Sequence, residues 1–164
     1  MKKIIVIGSP GSGKSTLARK LRDKTGLPLY YLDSIWHKPD KSTVTREEFD
    51  IQLEKILSTD GYIIDGNYSR TLEWRFKECD TVFFMDIPTE VCLEGAIERI
   101  GKKREELPWT ETELDPEFRE WILGFPQRSL PQVLSLIEKY KNEKEIIVFK
   151  TRAESDEFIK KLTP

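Results

Sequence analysis

Apolar residues along this chain fall into short unbroken runs, separated by stretches in which they recur every three or four positions. Ile4 to Ile7 is the first run, the pattern expected of a strand buried on both faces of a parallel sheet. Further runs at 28–33 (PLYYLD), 61–65 (GYIID), 81–86 (TVFFMD) and 145–149 (EIIVF) predict four more strands. Between them the spacing is helical. Leu17, Ala18 and Leu21 share one face, closed by Gly26; Phe49, Leu53, Ile56 and Leu57 share another, opened by a capping box from Thr45 to Glu48. Leu93, Ala96, Ile97 and Ile100 predict a third helix, and Leu130, Val133, Leu134 and Ile137 a fourth. Phe158, Ile159 and Leu162 line a short closing helix. Strands alternating with helices in this way predict a three-layer α/β fold, a five-stranded parallel sheet covered on both faces.

One segment departs from the alternation. From Gly101 to Phe125 the sequence is GKKREELPWTETELDPEFREWILGF, with mixed charges, two prolines and a brief helical signal after Pro116. A stretch of that length that is not a plain crossover is expected to be functional, here a helical lid insertion over about 101–128; a decorative helical insertion is the alternative. Internal repeats and low-complexity stretches are absent, so residues 1–164 are expected to form a single domain.

Charge and cysteine usage narrow the function classes. The balance of 27 basic to 29 acidic side chains gives a net charge of −2, which argues against a surface built to wrap nucleic acid. The apolar runs are too short to span a bilayer, and Gly8 cuts the first after four residues, so neither a membrane anchor nor a signal peptide is expected. Cys79 and Cys92 are isolated thiols without metal-ligand spacing, as in a cytoplasmic chain with reduced cysteines. His37 is the single histidine, which argues against a histidine-based triad.

The chemistry concentrates in two places. Residues 8–15 read GSPGSGKS. Gly8, Gly11 and Gly13 allow the backbone around Ser9, Pro10 and Ser12 to curl until successive N–H groups converge as an anion nest. Lys14 adds positive charge, Ser15 offers a hydroxyl to Mg2+, and the helix that begins here, with Thr16 in its first turn, points its positive end into the loop. This is a phosphate loop in the strand–loop–helix setting the motif requires, expected to hold the β- and γ-phosphates of a nucleoside triphosphate. The second constellation is DGNYSRT at 65–71. Asp65 ends a predicted strand, where its carboxylate would reach a magnesium ion through water, and Gly66 permits a sharp turn. Arg70 is then placed to fork onto an anionic acceptor, with a surface ion pair to Glu73 as the alternative.

GSPGSGKST followed by DGNYSRT resembles the adenylate-kinase-type P-loop kinases, whose second signature is a strand ending in Asp-Gly followed by an aromatic, a proline and an arginine. The chain resembles still more closely the small bacterial topology modulation proteins. They share the phosphate loop, an aspartate with a following tryptophan after the second strand (Asp33 and Trp36 here), the DGNY unit and a hydrophobic strand at 80–86. The chain departs from the adenylate kinase pattern at Tyr68-Ser69-Arg70, one residue longer than the proline–arginine pair, so AMP does not follow as the acceptor.

The resemblance implies a strand order of 2-3-1-4-5, ATP and Mg2+ as cofactors, and phosphoryl transfer to a small acceptor by a monomer or weak dimer. The favoured acceptor is a nucleoside monophosphate or nucleoside. ERIGKK at 98–103 resembles the entry to a lid, which puts Arg99 near the nucleotide base and Lys102 on its phosphates. Arg119 and Arg128, across the insertion, are expected to join Lys14 and Arg70 around the transferring phosphoryl group. KTR at 150–152 resembles the loop against the adenine ring, so Arg152 is expected to stack there. Asp33, Trp36, Asp65, Gly66, Asn67, Tyr68 and Arg70 form the expected acceptor site, and Tyr31 and Trp74 fall nearby. Two other classes stay open. One is a kinase of a non-nucleotide alcohol, similar to shikimate or gluconate kinases, which needs a carboxylate base at the acceptor hydroxyl. The other is a nucleotide-gated regulator that binds DNA or protein, which a basic face would favour.

Overall fold

A computed structural model describes residues 1–164. The chain runs β1 (Lys3–Gly8), α1 (Lys14–Thr25), β2 (Leu29–Tyr31), α2 (Leu32–Trp36), α3 (Arg46–Leu57), β3 (Tyr62–Asp65) and α4 (Ser69–Glu78). It continues through β4 (Thr81–Met85), α5 (Thr89–Glu98), α6 (Pro116–Leu123), α7 (Phe125–Arg128), α8 (Leu130–Tyr140), β5 (Glu145–Phe149) and α9 (Arg152–Lys161). The five strands form one parallel sheet in the order β2-β3-β1-β4-β5, the order expected.

The apolar runs are continuous because the sheet is covered on both sides. Ile5 and Ile7 of β1 face one core with Leu53, Tyr62, Phe76 and Phe84. Ile4 and Val6 face the other with Leu17, Leu21, Phe83 and Ile122. Each large side chain buried this way contributes about 1.5–3 kcal/mol. The capping box at α3 is present in both directions, Thr45 accepting from the Glu48 N–H and Glu48 accepting from the Thr45 N–H. At α6, Asp115 caps and Pro116 occupies the first turn, where its missing N–H costs nothing. No helix is long and apolar enough to cross a membrane.

Three local expectations are corrected. β2 ends at Tyr31, and Asp33 lies in the first turn of the short helix α2 rather than at a strand end. α5 buries Cys92 and Ala96 and leaves Ile97 52% exposed. Its small residues face inward because the phosphate loop packs against them: a Cβ on Gly95 would collide with the Gly11 carbonyl. α8 buries Val133, Leu136 and Tyr140, so Leu134 faces outward.

Candidate active site

The loop between β1 and α1 takes its shape from glycine. Gly11 has φ 79°, and a side chain there would run into the Cys92 carbonyl of α5. Gly13, at φ 97°, is the residue from which α1 starts. Ser12 is fully buried and its Oγ has no protein partner, an orphan hydroxyl within the loop. Arg152, at the start of α9, donates to the carbonyls of Gly11 (2.7 Å) and Ser12 (3.4 Å), and to that of Val91 (3.4 Å). Its guanidinium therefore braces the loop from the edge of the groove, where it was expected to stack on a base.

Asp65, at the end of β3, is 4% exposed and accepts a hydrogen bond from Ser15 Oγ at 2.5 Å. Burial pushes its carboxyl pKa up, against the opposing effects of the Lys14 charge and the Ser15 hydroxyl. Asp65 Oδ1 has no partner. An orphan carboxylate oxygen beside a hydroxyl is a hard-oxygen pair that fits Mg2+, with Asp65 reaching it through water. No cluster of three or more metal-ligating side chains is present, so phosphate and water oxygens would complete the coordination.

Above the loop, the insertion closes a groove of about 390 Å3 between the phosphate loop, α1, the end of α5 and residues 102–106. Lys14, Arg19, Lys20, Arg99, Lys102, Lys103, Arg104 and Arg152 line it against Glu98, Glu106 and Asp156. The near-neutral chain thus gathers strong positive charge where polyanionic phosphates would lie. Arg99 lies over the Phe118 ring at 5.8 Å; burial lowers its pKa, and its Nε has no partner. Glu106 is a buried carboxylate among these cations, paired with Arg104 (3.1 Å) and with Arg19 of α1 (3.3 Å). Ser34 of α2 donates to the Glu106 carbonyl at 2.9 Å. Glu105 accepts from Arg22 (3.1 Å) and from the Tyr31 hydroxyl (2.7 Å), whose own pKa is pushed up to about 12, chiefly by burial. These contacts tie residues 104–106 to α1, α2 and the end of β2.

Most of the residues expected to bind the acceptor lie between α2, α3 and the turn after β3. Tyr68 donates its hydroxyl to Asp33 Oδ1 at 2.5 Å. Trp36, Phe49 and Tyr68 form an edge-to-face series with ring centres 5.9 and 5.5 Å apart. Asn67 Oδ1 is buried without a partner, and Gly66 (φ 143°) packs against Leu32 so closely that a Cβ would displace it. Asp33, Trp36, Asp65, Gly66, Asn67 and Tyr68 are thus gathered around one turn.

Other expected residues lie elsewhere. Arg70 forms a two-pronged pair with Asp50 (2.7 and 3.0 Å) at the surface; Glu73 is paired with Lys139 instead. Arg119 is exposed beside Glu120, and Arg128 stacks 3.4 Å from the centre of the Trp121 ring while donating to the Trp121 carbonyl. Neither lines the phosphate groove: Arg119 pairs with its neighbour Glu120, and Arg128 is held over Trp121. Trp74 packs against the core.

Residues at the site that were not anticipated include Arg19 and Lys20 in the groove, together with Glu106 and Arg75. Glu106 carries no sequence signal, being one glutamate among many in a charged stretch. Arg75 is fully buried and donates to the carbonyls of Gly66, Asn67 and Tyr68. A signal for it exists: Arg75 lies on the same helical stripe as Leu72 and Phe76, where a charge is out of place.

No family model matches the chain. An adenylate kinase from Mesomycoplasma hyopneumoniae is 32% identical over 60% of this chain and 58% of its own length. An adenylate kinase from Clostridium botulinum is 27% identical over 56% of each. The chain therefore spans less than two thirds of the relatives it matches. Among solved structures, the shikimate kinase from Acinetobacter baumannii in complex with shikimate superposes with a TM-score of 0.66 at 12% identity, covering 98% of this chain and 90% of that one. A gluconokinase from Sinorhizobium meliloti does so at 0.56 and 14% identity, covering 97% and 87%. The chain has the α/β fold of the P-loop kinases and is similar in sequence to adenylate kinases.

Proposed function

We propose that this chain is an ATP-dependent kinase that transfers the γ-phosphoryl group to a hydroxyl of a small acceptor, either a nucleoside or a non-nucleotide alcohol. The observation that carries the acceptor class is the Asp33 carboxylate, held by Tyr68 beside the strand end that bears Asp65, while Arg70 is engaged by Asp50 at the surface. An alcohol must lose its proton during attack, and a carboxylate takes it; a phosphate acceptor is already an anion and needs positive charge instead.

In this reading the phosphate loop and Lys14 hold the β- and γ-phosphates, and the cationic groove offsets charge that spreads over the equatorial oxygens. Ser15 and Asp65 are the residues that would hold Mg2+, which supplies charge neutralisation at the phosphates. The acceptor oxygen forms the new P–O bond, its proton passes to Asp33, and the bond to the β-phosphate oxygen breaks to leave ADP. Arg99, Lys102 and the insertion exclude water from the groove. Arg119 and Arg128 would take part only after a rearrangement that releases Arg128 from Trp121.

A nucleoside monophosphate is the second reading, favoured by the similarity to adenylate kinases and by Arg70, which also lies 6.0 Å over the Phe49 ring of the acceptor-side aromatic series. A nucleotide-gated regulator, the class suggested by the resemblance to topology modulation proteins, would bind ATP without acceptor-stimulated turnover. The test is ATP consumption with panels of nucleosides, nucleoside monophosphates and small alcohols, with 31P NMR of the product. The expected result is stimulation by a hydroxyl acceptor and a phosphate ester product. Stimulation by monophosphates alone, or tight nucleotide binding with no turnover, overturns the proposal.

A further inference from the structure

We infer that Arg75 is a positioning residue: it shapes the turn that aims Tyr68 at Asp33, and through that pair it orients the acceptor-side carboxylate. The kinetic half of this inference rests on the kinase reading above; the structural half does not.

An arginine this deeply buried ordinarily pairs with a carboxylate. Arg75 has no such partner. Nη1 donates to the Gly66 carbonyl at 2.8 Å, and Nη2 donates to the carbonyls of Asn67 (2.6 Å) and Tyr68 (2.9 Å). Three consecutive carbonyls can converge on one guanidinium only if the chain wraps around it. The wrapping is visible in the backbone, since Gly66 has φ 143° and Tyr68 has φ 24°. For a bulky side chain that second value persists only where the surroundings impose it. Tyr68 is also the residue at which α4 begins, and no side chain caps that helix end. Arg75, nearly two turns into the helix, reaches back to the turn that precedes it.

What the turn presents is specific. The Tyr68 ring sits edge-on to Phe49, and its hydroxyl meets Asp33 Oδ1 at 2.5 Å. Gly66 abuts Leu32, the first residue of the helix that carries Asp33. The turn and α2 therefore touch twice, once through backbone packing and once through the Tyr68–Asp33 hydrogen bond. Displacing the three carbonyls would shift both contacts. A planar fork with fixed donors suits this task, whereas a lysine offers one compact charge and cannot match the same three acceptors. A methionine would strip the Gly66 and Asn67 carbonyls of this donor and leave the Tyr68 carbonyl only Thr71, whose N–H lies at 3.2 Å.

The test uses Arg75→Lys, Arg75→Met, Tyr68→Phe and the double variant Arg75→Lys/Tyr68→Phe in the full chain. Hydrogen exchange without substrate is read first. Arg75→Lys should exchange roughly tenfold faster at amides 66–71 and be unchanged at 14–25. With an acceptor, kcat should fall roughly tenfold to a hundredfold while the KM for ATP stays the same. The double variant should be no slower than the slower single variant, because both act on one pair. Unchanged exchange at 66–71, a wild-type kcat in Arg75→Lys, or fully additive losses would each overturn the inference. Faster exchange at 66–71 and 14–25 alike would reduce Arg75 to a general structural role and also overturn it. If no acceptor supports turnover in the wild type, the kinase proposal fails, and the exchange pattern alone decides whether Arg75 shapes the turn. Should Arg75→Met fail to fold, Arg75→Lys carries the experiment.

Discussion

Ser15 and Asp65 meet at 2.5 Å, joining the first turn of α1 to the end of the adjacent strand β3. The hydroxyl follows directly after Lys14, and the carboxylate directly precedes the turn toward Asp33. The phosphate loop and the turn after β3 therefore share one hydrogen bond.

Lys14→Ala should abolish phosphoryl transfer, by at least about a hundredfold in kcat, without altering the fold. The lysine forms no ion pair within the protein and belongs to neither core. A coupled assay for ADP alongside thermal melting checks both halves. Normal turnover in a well-folded variant would remove the basis of the kinase proposal.

Asp33→Asn and Arg70→Ala separate the acceptor classes. With a hydroxyl acceptor, Asp33→Asn should lower kcat by roughly 10²–10⁴-fold, the usual scale of a lost general base. Arg70→Ala, which breaks an exposed pair with Asp50, should cost less than about 1 kcal/mol in kcat/KM. The opposite ranking would establish the monophosphate reading.

Glu106→Gln tests the carboxylate within the cationic groove. Removing one negative charge beside Arg19 and Arg104 should tighten ATP binding by roughly threefold to tenfold, equivalent to about 1 kcal/mol. The same change should destabilise the chain modestly, because half-buried Arg19 loses its charged partner and Arg104 keeps only Glu111. Calorimetric titration and urea unfolding read the two effects separately. Weaker ATP binding would mean that Glu106 supports the groove and does not compete with phosphate there.

Asp80 gives a pH prediction. Burial pushes its pKa up, but the Thr81 hydroxyl and the backbone N–H groups of Lys2 and Lys3 outweigh that and hold it below the usual range. A depressed folded-state pKa contributes stability above the unfolded value of about 3.9, and that stability is lost as pH falls through the folded value. Asp80→Asn should therefore cost about 1 kcal/mol at pH 7, after discounting for partial exposure, and little at pH 2. Urea unfolding at both pH values measures it; an equal loss at each would show that the carboxylate charge is immaterial.

The sheet was legible because its three central strands are buried on both faces and so read as unbroken apolar runs, from Ile4–Ile7 to Thr81–Met85. The phosphate loop was legible because its glycines, Lys14 and Ser15 are contiguous in the chain. α2 was not, since five residues following a strand offer too few turns for a helical period to register. Arg70 and Arg128 were expected at the phosphoryl group because charge partners are set by packing: Asp50, which holds Arg70, lies on another helix, and Trp121 lies under Arg128 across the junction of α6 and α7. Arg75 was hidden for the converse reason. Its partners are backbone carbonyls, which every residue possesses and no sequence pattern marks.

The brace on the phosphate loop has a consequence for how the protein is made. Arg152 donates to Gly11 across 141 positions of chain, so a ribosome exposes the loop long before it supplies the residue that steadies it. Nascent chains stalled before residue 152 emerges should hold ATP poorly even when β1 and α1 are outside the tunnel. Affinity should rise sharply once α9 is free. ATP retention measured on a ladder of stalled lengths would trace that step, and a gradual rise beginning at α1 would show that the loop organises itself without waiting for the far end of the chain.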